Sequence, residues 1–143
     1  MRSVLDATAL VAILQGEAGA RDASSAALDA TVTAVNFAEA RDHLGRSVGD
    51  PGRAGAALQA MLDHGLSVVA CDRDLAEAAA DIRTEHYHSR RQSVSLADCF
   101  AIALARRDAR SLVSCDADQL RVAAMVGVAI RPIANSAGVV PEV

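Results

Sequence analysis

Residues 3–14 read SVLDATALVAIL: a short Val/Leu run meets an acid, Asp6, and continues at once into apolar residues spaced as on a helix. A short buried strand running directly into a helix is the unit from which parallel sheets are assembled. The same grammar returns at 111–120, SLVSCDADQL, where a second Val/Leu run closes on Asp116 with Asp118 two residues later. Working outward from these two segments, strands are predicted near 2–5, 31–34, 66–70, 111–114 and 128–131. Helices are predicted near 8–14, 17–30, 37–46, 52–63, 75–86, 96–107 and 117–126. The alternation predicts an α/β domain of three layers, with helices on both faces of a mostly parallel five-stranded sheet.

The 143 residues suit one domain with a single substantial core. The clearest break, SVGDPG at 47–52, combines a Gly-Asp-Pro turn with polar flanks, and a polar loop at 88–93 carries Arg90 and Arg91. Neither is long enough to link domains, and after Ile133 the periodicity fades into a tail expected to be loosely held. Apolar residues make up 52% of the chain, almost all small or aliphatic, with Phe37, Phe100 and Tyr87 the only aromatics, so close-packed Ala-rich layers are expected. There is no run of eighteen apolar residues and no signal-type apolar region, so a cytoplasmic protein without a membrane partner is expected. Cys71, Cys99 and Cys115 show no CxxC or zinc spacing and read as buried thiols.

In a parallel α/β sheet, ligands bind beyond the carboxyl ends of the strands, where strand order reverses. Asp6 and Asp116 end strands at that edge, and Glu39 (VTAVNFAEA, 32–40) and Asp98 (SVSLADCFAIALA, 93–105) begin helices there. No basic residue adjoins Asp6, Glu39 or Asp98 in sequence, and a carboxylate among Leu, Ala and Phe is costly to desolvate without compensation. Two like charges ~4 Å apart repel by ~4 kcal/mol at an effective dielectric of ~20, so converging acids call for a cation or a shared proton. Oxygen donors without His or Cys select Mg²⁺ or Mn²⁺ over zinc. Each acid also has a plain structural reading. Ser95 and Asp98 spell a capping box, Asp6, Asp116 and Asp118 suit helix caps, and Glu39 complements a helix dipole.

These segments, in this order, resemble those of PIN-domain ribonucleases: VLDATALVAIL the first, TAVNFAEA the second, SLADCFAIALA the third and LVSCDADQL the fourth. The resemblance spans nearly the whole chain. It implies a PIN domain over 1–135 with a tail at 136–143, and a catalytic, metal-holding pocket of Asp6, Glu39, Asp98 and Asp116, with Asp118 as a fifth acid. Thr8 matches a small hydroxyl residue supporting the pocket, and Asn36, Ser95 and Ser114 match positions that orient carboxylates and water. Ser114 stands where Thr is common and Cys115 where members vary, and neither change touches a carboxylate. PIN domains of this size are typically VapC-type toxins: endoribonucleases using Mg²⁺ or Mn²⁺ on single-stranded or looped RNA such as tRNA or rRNA. They are commonly homodimers, silenced by a small cognate antitoxin.

A net charge of −4 does not itself favour RNA, but every permanent cation is Arg, whose planar fork suits phosphate. Arg83, Arg90, Arg91 and Arg106 are the candidates for holding the RNA backbone, and an ordinary solvated face is the alternative. With so few aromatics, base stacking cannot be the main recognition device. His86 and His88 lack the one-turn spacing of a metal pair, and the glycines at 49, 52 and 55 follow no strand. Phosphotransfer sites built on strand-end acids resemble this set but need a Lys, and the chain has none. A silent PIN-fold binding module would carry the acids as an electrostatic cost, and a DNA-directed flap nuclease usually needs additional helical segments.

Overall fold

The computed structural model describes residues 2–143; Met1, at the head of the predicted domain, lies outside them. Five strands are present: β1 (Ser3–Leu5), β2 (Thr31–Thr33), β3 (Ser67–Val69), β4 (Ser111–Ser114) and β5 (Ile130–Pro132). They form one sheet in the order β3-β2-β1-β4-β5, and every pairing is parallel. The fold is therefore α/β/α with an all-parallel sheet, where a mostly parallel one was expected. Along the chain the strands move outward from β1 through β2 to β3, then cross back to place β4 on β1's other side. The reversal falls between β1 and β4, the two strands that end in Asp6 and Asp116.

Seven helices cover the sheet: α1 (Ala7–Gln15), α2 (Ala20–Ala26), α3 (Ala34–Val48), α4 (Pro51–Asp63), α5 (Arg73–His86), α6 (Leu96–Arg107) and α7 (Ala117–Met125). Side chains alternate across a strand, so Leu5 and Val113 pack with α1–α4 while their neighbours Val4 and Leu112 pack with α5–α7. The central strands are buried on both faces and need a continuous apolar run. By contrast, β3 is an edge strand and leaves Ser67 and Val68 exposed. No described helix is long and apolar enough to cross a membrane, and all three cysteines are free.

Three local departures from the sequence reading have physical causes. The stretch predicted as a helix over 17–30 holds only α2, because Gly16 ends α1 in a left-handed conformation (φ 64°) and Gly19 packs on the chain's end. A Cβ at Gly19 would collide with the Ala134 carbonyl oxygen. The last strand lies later than 128–131, because Gly127 (φ 81°) and Val128 close the end of α7 through bonds to Ala124 and Ala123. Pro132 is tolerated because β5 is an edge strand. The segment that begins at Ile133 makes bonds that its fading periodicity did not signal. Ile133 is buried and donates to the Ser114 carbonyl, and the Asn135 side chain accepts the Ala137 and Val139 amides.

Candidate active site

Asp6 is only 2% exposed, at the junction of β1 and α1. Its Oδ1 caps α1 by accepting the Ala9 amide at 2.8 Å, and the Thr8 hydroxyl donates to Oδ1 and Oδ2 at 2.7 and 2.9 Å. The same Thr8 oxygen accepts the Cys115 amide at 3.3 Å, tying the end of β1 to the end of β4. Burial pushes the Asp6 carboxyl up to about 7; hydrogen bonds from Ser114, Ala9 and Thr8 pull it back, and the charge of Asp98 adds to the rise.

Asp98 occupies the first turn of α6, where Ser95 and Asp98 form a full capping box. The Ser95 amide donates to Asp98 Oδ2 at 2.7 Å, and the Asp98 amide donates to Ser95 Oγ at 3.0 Å. Desolvation raises this carboxyl to about 6 against the lowering bonds of Ser95, and the charges of Asp116 and Glu39 raise it further. The capping and functional readings therefore describe one carboxylate. The cap fixes its position, and its acidic neighbours give it an electrostatic load that capping does not require.

Glu39 lies one turn beyond Asn36 on α3, and Asn36 is the joint of this wall. It is buried, its Oδ1 accepts the Thr33 hydroxyl at 2.6 Å, and its Nδ2 donates to Glu39 Oε2 at 3.1 Å and to the Ala97 carbonyl at 3.2 Å. One amide thus orients Glu39 and fastens α3 to the start of α6. Asp116 caps α7 by accepting the Gln119 amide at 3.0 Å, and its own amide donates to Ser114 Oγ at 2.9 Å. Gln119 is fully buried and braces α6 by donating to the Asp98 carbonyl at 3.3 Å.

Asp6, Glu39, Asp98 and Asp116 are thereby brought close enough to perturb one another. Asp118 is engaged elsewhere: it accepts the Ser93 amide at 3.0 Å and pairs with Arg121 at 2.7 Å, pinning the 88–93 loop. Beside the acids opens a cleft of about 430 Å³, lined on the α3 side by Asn36, Glu39, Asp42, His43 and Arg46. Asp6, Thr8, Val11, Glu17, Asp98 and Cys115 line it too, with Asn135 and Ser136 from the final turn.

None of the four candidate arginines lines this cleft. Arg83 donates to the Val94 carbonyl and stacks on Tyr87, beside a separate hollow between α5 and α6. Arg90 and Arg91 sit on the exposed 88–92 turn, their amides donating to His88 Nδ1. Arg106 lies eight residues beyond Asp98, ~12 Å down α6 and away from the sheet edge that carries the acids. His43 and Arg46, four and seven residues after Glu39, were legible as helical neighbours of that acid. Glu17, Asn135 and Ser136 reach the cleft only through tertiary packing.

The donors fit a hard divalent cation. They are carboxylate oxygens, those of Asp6 buried and those of Asp98 half-buried, with no Arg on Asp6, Glu39 or Asp98 to neutralise them. Among the described residues no three His, Cys, Asp or Glu side chains stand close enough together to hold a metal ion as they are placed.

The family described as "PIN domain" matches residues 3–125. A search by sequence among curated proteins finds no match. Among solved structures, the fold is similar to that of Mycobacterium tuberculosis VapC20, described as a sarcin-ricin loop cleaving toxin. That match has 19% identity and a TM-score of 0.70, covering 97% of this chain and 99% of that one. It is also similar to a chain of VapBC2 from Rickettsia felis, solved bound to a DNA fragment from their promoter (12% identity, TM-score 0.72, 93% and 99% covered). A third is a chain of FitAcB from Neisseria gonorrhoeae (19% identity, TM-score 0.62, 90% and 95% covered).

Proposed function

We propose, from the premise that this chain belongs to the PIN domain family, that it is a Mg²⁺- or Mn²⁺-dependent endoribonuclease and the toxin half of a VapC-type toxin-antitoxin pair. The observation that carries the reading is the acidic constellation at the sheet's reversal point. Burial is the main cause that raises the proton affinity of Asp6 and Asp98 there, with the charge of Asp98 adding at Asp6 and the charges of Asp116 and Glu39 adding at Asp98. Asp6, Asp98 and Asp116 would hold the ion, with Glu39 beside them, while Asp118 is committed to Ser93 and Arg121. A bound ion supplies a water of lowered pKa and offsets charge on the attacked phosphodiester.

The chain's own part is orientation. Thr8 fixes both oxygens of Asp6, Ser95 fixes Asp98, Ser114 steadies the turn into Asp116, and Asn36 aims Glu39 so that it can accept a proton from water. The cleft opens to solvent with carboxylates, amides and Arg46 along a partly apolar lining, which suits a single strand or a loop of RNA better than a paired duplex. The toxin-antitoxin structures among the matches support a small antitoxin as partner, and we extend the reading to a cytoplasmic homodimer with a PIN unit over 1–135. The test is incubation of purified protein with total cellular RNA in Mg²⁺, Mn²⁺ or EDTA, followed by analysis of fragment ends. Discrete fragments with 5′-phosphate and 3′-hydroxyl ends, formed only with metal, are expected; intact RNA under every condition contradicts the reading.

A further inference from the structure

A polyanion entering this cleft meets Asp6, Glu17, Glu39, Asp42 and Asp98. Even with a divalent ion in place, carboxylates outnumber cations, and Coulomb repulsion opposes RNA along the whole approach. Among the described residues that line the cleft, Arg46 is the one permanent cation. Helical spacing puts it on the wall already occupied by Asn36, Glu39 and His43, seven residues or ~10 Å from Glu39. It therefore stands beside the path of the chain flanking the reacting phosphodiester and away from the reacting atoms.

The guanidinium is already engaged at two points. Arg46 Nε and Nη2 donate to Asp42 Oδ2 at 3.1 and 2.8 Å, and both side chains remain well exposed. Arginine forks grip carboxylate and phosphate oxygens with the same geometry. The Asp42 carboxylate thus occupies the place a phosphate oxygen would take.

We propose that Arg46 is the residue that holds the RNA backbone in the cleft, and that Asp42 is its internal competitor, displaced when a phosphate binds. This rests on the nuclease reading above. It assigns substrate binding to α3, not to Arg83, Arg90, Arg91 or Arg106. Asp42 holds the fork at the cleft wall in the free protein and makes weak or misplaced polyanions compete for it.

The test is binding of a fluorescein-labelled single-stranded RNA of mixed sequence, with Ca²⁺ in place of Mg²⁺, and cleavage followed in parallel with Mn²⁺. The comparison covers wild type, Arg46→Ala, Arg46→Lys, Asp42→Asn and Arg106→Ala, with thermal melts to confirm folding. Arg46→Ala is expected to weaken binding roughly tenfold across sequences and to lower the salt slope by about one contact, with partial recovery in Arg46→Lys. Asp42→Asn is expected to tighten binding a few-fold, and Arg106→Ala to leave it unchanged. Wild-type affinity in Arg46→Ala, or equal weakening in Asp42→Asn, overturns the assignment while leaving the nuclease reading standing. Wild-type protein that neither binds nor cleaves RNA overturns both.

Discussion

At the scale of single residues, the site's acids carry opposing demands that can be separated by measurement. Without metal, Asp6 holds its proton up to about 7 in the folded protein against 3.8 as a free side chain. Below about 4 both states are protonated and the group is neutral to stability. Between 4 and 7 only the unfolded chain ionises, so folding loses stability as pH rises, by on the order of 4 kcal/mol at the plateau. Asp6→Asn keeps a cap acceptor and cannot ionise. In EDTA it is expected to melt above wild type at pH 8, the gap closing towards pH 4, while cleavage is lost; a variant melting below wild type at both pH values would contradict the assigned burial cost. Asn36→Ala removes one buried amide joining Thr33, Glu39 and Ala97. It is expected to lower cleavage by about 10- to 100-fold and to weaken Mn²⁺ binding measured by calorimetry.

At the scale of elements, α6 and α7 begin where the sequence placed them and α1 one residue earlier, because each has a side-chain cap at the predicted boundary. Asp6, Ser95 and Asp116 cap these helices with their own side chains and were legible as caps, whereas Thr33 and Asp72 also cap and start α3 and α5 at 34 and 73, ahead of the expected 37 and 75. The same fact made the acids ambiguous, because a capping carboxylate and a ligand carboxylate stand at the same place on a helix. Only the convergence of Asp6, Glu39, Asp98 and Asp116 from different elements separates the readings, and that is a tertiary property. The limits of α2 were hidden for a related reason: the Ala-rich composition continues through 17–30, while Gly19 is set by Ala134 at the other end of the chain. Gly19→Ala is expected to cost about 1–3 kcal/mol in denaturant unfolding by overpacking this contact. It would also displace the Asn135–Ser136 side of the cleft, raising KM for RNA more than it lowers kcat.

At the scale of the molecule, the all-parallel order β3-β2-β1-β4-β5 explains why residues from positions 6, 39, 98 and 116 meet. Strands β1 and β4 stay paired to their ends, and beyond them the chain turns to opposite faces of the sheet, into α1 on one and α7 on the other. The periodic alternation of apolar segments made this architecture legible. The walls of the cleft were legible only in part, since α3's contribution follows from helical spacing whereas Glu17 and the final turn arrive by packing. On the proposed reading, a protein of net charge −4 with an acidic cleft acts on RNA because the cations that matter are the metal and Arg46, not the surface as a whole. Raising salt from 50 to 200 mM is accordingly expected to weaken RNA binding by well under the ~10³-fold typical of proteins making many phosphate contacts, as a fluorescence titration would show.

On the proposed reading, four carboxylates at one sheet edge form a single metal-dependent site that hydrolyses RNA. This is tested most directly by single-turnover cleavage of one identified RNA fragment by wild type and Asp98→Asn, across a Mn²⁺ titration and with EDTA. Cleavage that rises and saturates with Mn²⁺ in wild type, and is absent in a folded Asp98→Asn at every concentration, is the expected result. Equal cleavage by the variant, or cleavage persisting in EDTA, would contradict it.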